Sequence, residues 1–139
     1  MKLLMIYCSH FSYQPSEKSW EEAQEVTEGA QWNEVQLAMI QVEEEDEAEG
    51  RSKAVERNLL NFTKWIARKN NTKKVVLHSF AHLSESKSSP QFTQILFDRV
   101  EQRLRLTGHE VAQTPFGYFL HLHIDAPGFS LARVFKSFD

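Results

Sequence analysis

With one cysteine among its 139 residues, the chain can form no internal disulfide. Cys8 reads as a small core residue in a protein of a reducing compartment. Long apolar runs are also missing. Leu3, Leu4, Met5 and Ile6 make a run of four, too short for a signal-peptide core and far from the ~20 residues of a membrane helix, so a cytoplasmic protein without a membrane partner is expected. The five glycines build no phosphate-cradling loop and no nucleophile elbow, and there is no CxxC pair. Internal repeats and low-complexity linkers are absent, and a chain of this length with 41% hydrophobic residues buries one core. A single domain over residues 1–139 is expected.

What is present is unevenly charged. Residues 17–50 carry twelve acidic side chains against one basic, and residues 51–105 carry twelve basic against four acidic, giving −11 and +8 within a net charge of −3. A basic segment of this kind attracts phosphate backbones, although well-solvated helix faces produce the same composition.

Residues 2–8 read as a buried strand, followed by a polar stretch to about Gln31 that is expected to hold a short strand and an irregular loop. Residues 33–43 alternate as a strand, and the carboxylates of Glu43 to Glu49 stop it in a charged loop. From Arg51 to Lys69, Val55, Leu59, Phe62 and Ile66 form one helical stripe, opposite Arg57, Lys64 and Arg68. Asn70 and Asn71 end that helix. Lys73 to Phe80 holds the short apolar run of a central strand. A second helix follows Ser89 as N-cap with Pro90 at its first position, carries Phe92, Leu96, Val100 and Leu104 inward, and ends at Gly108. Strands over 109–113 and 117–124 flank a hairpin-like Thr-Pro-Phe-Gly corner, and an amphipathic tail runs from Leu131 to Phe138. The order predicts an α/β fold, one mixed β-sheet covered by two main helices.

Two segments offer chemistry. His78-Ser79-Phe80-Ala81-His82-Leu83-Ser84 lies where a buried strand runs out before a helix, the place where open α/β sheets keep their sites. Histidine there suits substrate binding or proton transfer, and equally the capping of loop backbone. Pro115-Phe116-Gly117-Tyr118 forms a rigid bend with close backbone approach, either a pocket wall or an ordinary turn.

Together, Phe80-Ala81-His82-Leu83-Ser84, the helix after it and Pro115-Phe116-Gly117-Tyr118 resemble the paired motifs of the archaeal threonyl-tRNA synthetase N-terminal editing domain, whose fold is D-aminoacyl-tRNA deacylase-like. The resemblance implies a homodimer that accepts the 3′-terminal aminoacyl-adenosine and hydrolyses mischarged aminoacyl-tRNA, removing L-serine from threonine tRNA and also D-amino acids. It implies a water held largely by backbone groups and assisted by the RNA 2′-hydroxyl, with no cofactor and no metal. His82 is then the pocket histidine. Phe80 and Ala81 supply wall and backbone, and Pro115, Phe116, Gly117 and Tyr118 form the facing wall.

The chain departs from the family pattern at three points. Phe119-Leu120 stands where the family has Tyr-Lys, Arg133 stands where its last helix carries a glutamate, and Ser79 stands where proline is frequent. Leu120 offers no hydrogen bond to a serine hydroxyl, so discrimination of serine from threonine is not implied. Arg133 suits a phosphate if it points inward. The 139 residues hold no synthetase catalytic or anticodon-binding segment; the expectation is a proofreading domain or, where these residues are the whole polypeptide, a factor acting in trans or beside a separate threonyl-tRNA synthetase. Two other readings remain. One is a non-catalytic tRNA- or synthetase-binding module on the same fold. The other is a metal site at His121, His123 and Asp125, with His10, His78 and His82 as further donors.

Overall fold

A computed structural model describes residues 1–139 as six strands and two long helices. Strands β1 (Lys2–Lys18) and β2 (Ala30–Gln41) are followed by helix α1 (Ser52–Lys69), strand β3 (Lys74–Ser79), helix α2 (Pro90–Leu106), strand β4 (Glu110–Gln113), strand β5 (Tyr118–Asp125) and strand β6 (Arg133–Ser137). They form one mixed sheet in the order β4-β3-β2-β1-β5, with β6 also paired to β1. The pairs β2/β3 and β3/β4 are parallel and the rest antiparallel. A parallel pair needs a crossover, and α1 and α2 supply the two required here.

Both helices pack on one face. Val55, Leu59 and Ile66 of α1 and Leu96, Val100 and Leu104 of α2 are buried against Leu3, Met5, Ala38, Ile40, Val75, Leu77 and Val111 of the strands. Cys8, Phe11, Tyr13, Val35, Leu37, Met39 and Val76 form a second core on the opposite face. On β2 and β3 this is the plain period of two, whereas on β1 Phe11 and Tyr13 share the parity of Leu3 and Met5, so the alternation slips by one residue after Cys8, beside Glu34 with φ +54°. The second helix starts as its sequence dictates: Ser89 Oγ accepts a hydrogen bond from Phe92 N–H at 3.2 Å, with Pro90 in the first turn. Gly108, just past its end, has φ +84°.

The main difference from the sequence reading lies in β1. The polar stretch after residue 8 continues as the same strand to Lys18, because Phe11 and Tyr13 alternate inward while β5 pairs along its other edge from His10 to Lys18. A straight strand of 17 residues spans about 55 Å, but β1 does not stay straight. Its register with β5 shifts between Pro15 and Glu17, a bulge that bends the strand and sharpens its twist. Its far end returns over the sheet: Thr114 N–H bonds to Leu77 C=O at the end of β3, and three residues later Gly117 C=O accepts Ser19 N–H. Pro15 is tolerated because β2 pairing stops at Tyr13, leaving that side of the strand as an edge.

Two further corrections follow. The Thr114–Gly117 corner is not a hairpin, since β4 pairs with β3 and β5 with β1; the corner carries the chain from one border of the sheet to the other. The amphipathic tail, where the family pattern places a last helix, is mostly a strand. After a 3₁₀ turn at Ser130–Ala132, residues Arg133–Ser137 run as β6 beside the start of β1, Arg133 opposite Ile6. Its alternation of Val134 inward with Phe135 outward is that of an edge strand. No helix is long and apolar enough to cross a membrane.

Candidate active site

The loop between β3 and α2 is held by one buried side chain. Gln41, at the end of β2, accepts the N–H groups of Leu83 and Ser84 at 2.6 Å each and donates to the carbonyls of Ser84 and Ser86 at 2.8 Å each. All the capacity of the amide is used inside the protein, which fixes the loop as firmly as a strand pairing. Ser84 Oγ adds a bond to Glu43 at 2.6 Å. Burial alone raises a carboxyl pKa, but bonds from the Met1 ammonium, Ser84 and Lys2 outweigh it and bring Glu43 down to about 2. Phe80 N–H still bonds to Ile40 C=O. The N–H groups of Ala81 and His82, just beyond, donate to no backbone carbonyl or side chain of the chain.

Above this loop opens a cleft of about 350 Å³. His78, Phe80 and His82 line one side with their rings in succession, 5.9 Å between the first two centroids and 4.9 Å between the second two, the latter edge-to-face. His78 is buried and its Nδ1 lies 2.8 Å from Thr114 Oγ1. Burial, reinforced by His82 nearby, pulls its pKa down to about 4, so it is a neutral hydrogen-bonding group at neutral pH. His82 itself is exposed to the cleft.

The facing wall is Pro115, Phe116, Gly117 and Tyr118, with Ser19 and Trp20 from the end of β1. Trp20 meets Phe116 edge-to-face at 5.8 Å. Gly117 has φ +84°, and a Cβ there would lie 2.9 Å from Ala23 Cβ, so glycine is demanded by both conformation and packing. The Tyr118 ring borders the cleft, but its hydroxyl is committed elsewhere. It donates to Gln24 C=O at 2.8 Å and accepts Val26 N–H at 3.0 Å, which ties down the loop after β1.

Of the residues singled out in the sequence, Phe80, Ala81, His82, Pro115, Phe116, Gly117, Tyr118, Phe119 and Leu120 all border this one cleft. Leu120 also packs with Phe80 against the second core. Arg133 does not join them; it begins β6 and its guanidinium reaches Pro127 C=O at 3.3 Å. His78 and Thr114, which lie in the two segments read from the sequence but were given no role in the pocket, line the cleft as well, as do Gln41, Trp20 and Lys87, which motif reasoning missed. Lys87 is the one lysine or arginine there, and no carboxylate lines it. Only His78 carried a signal, since a histidine ending an apolar strand run is unusual. The alternative metal donors do not gather: His121 and His123 lie 5.1 Å apart on exposed β5, and no three His, Cys, Asp or Glu side chains converge anywhere.

The curled mixed sheet, two helices on one face and a cleft at the carboxyl end of β3 define a D-aminoacyl-tRNA deacylase-like fold. A solved structure entitled c-Myc DNA unwinding element binding protein superposes over 100% of the chain and 99% of its own length with a TM-score of 0.71 at 10% identity, which supports the fold alone. A family model described as the archaea-specific editing domain of threonyl-tRNA synthetase matches residues 1–138. The chain belongs to that family. Among curated relatives, the threonine–tRNA ligase of Pyrococcus horikoshii is 29% identical over 143 residues, covering 99% of the chain and 22% of the ligase. That of Nitrosopumilus maritimus is 25% identical over 138 residues, covering 98% and 21%. The chain thus spans about a fifth of the length of the relatives it matches.

Proposed function

We propose that the chain hydrolyses mischarged aminoacyl-tRNA, as a proofreading domain or as a factor acting in trans beside a threonyl-tRNA synthetase. Water adds to the ester carbonyl, the bond to the terminal ribose breaks, and free amino acid and a ribose hydroxyl result. The observation that carries the reading is the open cleft at the carboxyl end of β3, where the Ala81 and His82 N–H groups have no partner in the chain. Such donors hold a water or the oxygen that gains charge as the ester is attacked, and a rigid loop supplies them without reorganisation. Gln41 gives that rigidity. His82 hydrogen-bonds the ribose or the amino acid, and the rings of Phe80 and Phe116 enclose the adenine. Lys87 suits the phosphate of the RNA 3′ end.

Specificity is altered relative to the family pattern. Leu120, where the family has lysine, borders the cleft and offers a serine hydroxyl nothing, so D-aminoacyl-tRNA is the preferred substrate. Two copies pair through the β5/β6 border. Phe135 and Phe129, 55% and 47% exposed, leave apolar side chains at the β6 end of this border, and Phe119, 53% exposed, leaves one at the far end beside the cleft. The protein works in the cytoplasm, with the aminoacyl-tRNA 3′ end as its partner and no cofactor.

The test is deacylation of L-seryl-, L-threonyl- and one D-aminoacyl-tRNA by the wild type and His82→Ala. The expected result is hydrolysis of the D substrate well above the buffer rate, with L-threonyl-tRNA spared and a loss of roughly 100-fold in the variant. No hydrolysis of any substrate, with tRNA binding intact, would overturn the enzyme reading. It would leave the binding module that the replacement of the lysine by Leu120 also favours.

A further inference from the structure

At the opposite end of β3 from the cleft lies a second cavity, of about 300 Å³. Lys64 and Arg68 of α1, Asn71, Thr72, Lys73, Thr107 and His109 line it, with no hydrophobic and no acidic residue among them. The carboxylates nearest in sequence are engaged or face elsewhere: Glu34 bonds to the Tyr7 hydroxyl, and Glu110 follows His109 on the alternate side of the chain. The cavity is therefore a concave cluster of cations.

It is also the end of a track. Lys53, Arg57, Lys64 and Arg68 follow one another on α1 at steps of four, seven and four, which keeps them within one narrow stripe opposite Val55, Leu59 and Ile66. None of these four, nor Lys73, makes an ion pair in the chain. The arginines of α2 differ: Arg99 and Arg103 pair with Glu56, and Arg105 with Glu101. As the crossover between parallel strands, α1 runs against β3. Its start therefore lies at the cleft end of the sheet and its finish at the cavity. From Lys53 to Arg68 the stripe covers about 22 Å.

We propose that this stripe and the cavity that ends it bind the sugar–phosphate backbone of the RNA duplex leading to the 3′ end held in the cleft, with one phosphate seated between Lys64, Arg68 and Lys73. Unpaired cations on a regular spacing are what a polyanion neutralises with release of its counterions, and a seat without carboxylates admits the phosphate unopposed. The binding is sequence-independent and fixes the direction from which the duplex approaches. The proposal rests on the aminoacyl-tRNA reading for the identity of the RNA.

The experiment measures affinity for an uncharged tRNA as a function of salt, for the wild type, for Lys64→Ala/Arg68→Ala/Lys73→Ala, and for Lys53→Gln/Arg57→Gln, with circular dichroism as the folding check. Deacylation of a short aminoacylated oligonucleotide, which reaches only the cleft, is measured alongside. The triple variant is expected to weaken tRNA binding by about 10- to 100-fold near 0.1 M salt and to flatten the log–log salt slope by about 2 to 3, with oligonucleotide hydrolysis unchanged. The double variant, on exposed helix positions far from the cavity, is expected to flatten the slope by about half as much and serves should the triple variant misfold. Unchanged affinity and slope in a folded variant would overturn the proposal. A wild type that binds tRNA through these residues but hydrolyses nothing would overturn the enzyme reading and leave this one standing.

Discussion

The two ends of β3 carry cavities of similar size and opposite chemistry, about 350 Å³ at the carboxyl end and about 300 Å³ at the amino end. Nine of the 21 residues around the first are hydrophobic, against none of the seven around the second. The difference follows from what each end of a parallel strand meets. At the carboxyl end, β3 passes into a loop pinned by Gln41 and faces the aromatic corner brought back by the bend in β1. At the amino end it meets the last turns of both helices, which carry Arg68 and Lys69, and Arg103 and Arg105; cations are favoured there by the partial negative charge of a helix C-terminus. Each end holds one buried or half-buried histidine whose pKa is lowered, for different reasons. Burial dominates at His78, with His82 adding to it; at His109 burial is joined by Lys73 and Lys64, while a bond to the Leu104 carbonyl pulls the other way.

If the carboxyl end is defined by a pinned loop, removing the pin breaks that end and spares the other. Gln41→Ala deletes four hydrogen bonds and leaves the Leu83 and Ser84 N–H groups without their acceptor. At roughly 1 kcal/mol per bond, the loss in unfolding free energy is about 3 to 4 kcal/mol by denaturant titration. Deacylation falls with it, while tRNA affinity through the amino-end track stays within about twofold. A variant that kept wild-type stability and activity would show that the loop holds itself.

The second way to separate the ends is acid. His78 binds its proton near 6.5 in the unfolded chain and at about 4 in the folded one. The unfolded state therefore holds more protons between those values, and stability falls as pH falls. The contribution is intact above about 6.5 and gone below about 4, with a ceiling of about 3 kcal/mol. Glu43, lowered to about 2, adds a further loss only as pH drops below about 4.5. Unfolding titrations across pH 8 to 4 on wild type and His78→Gln test this. The variant is expected to lose most of the slope between pH 6.5 and 4, and an unchanged slope would assign the acid sensitivity to another group.

Much of the carboxyl-end cleft was legible in the sequence because its two walls are each contiguous: Phe80 to His82 and Pro115 to Leu120 are motifs read along the chain. The helices were legible for a similar reason, as a stripe, an N-cap at Ser89 and a stop at Gly108 are local signals. What was not legible depends on segments far apart. The length of β1 is hidden by its polar second half, where Phe11 and Tyr13 are inward residues among Ser12, Gln14 and Pro15, and pairing with β2 as far as Tyr13 and with β5 as far as Lys18 makes it a strand. Gln41 looks like any polar strand residue until the loop 42 residues later folds onto it. Arg133 fell to register, because the family's last helix, by which it was placed, would turn its side chain differently from the edge strand observed there. The basic track was half legible. The stripe of Arg57, Lys64 and Arg68 could be read from helical spacing, but Lys73 and His109 join it only through the sheet.

The smallest expected effect is the most discriminating between the two ends. Since Lys73 and Lys64 help to lower the His109 pKa, Lys64→Ala/Lys73→Ala is expected to raise it and to leave His78, shielded at the other end of β3, where it was. His82→Ala is expected to do the reverse, raising His78 and leaving His109 unmoved. Added salt should mimic the first substitution more than the second, because the half-exposed His109 is reached by counterions and the buried His78 is not. All three comparisons can be read from the imidazole ¹H–¹³C resonances in one NMR titration series. Were both histidines to shift together in either variant, the ends would share one field, and treating the cleft and the basic cavity as separate sites would fail. Were neither to shift, burial alone would set both values, and the cations around His109 would be too well solvated to hold a phosphate there with useful strength.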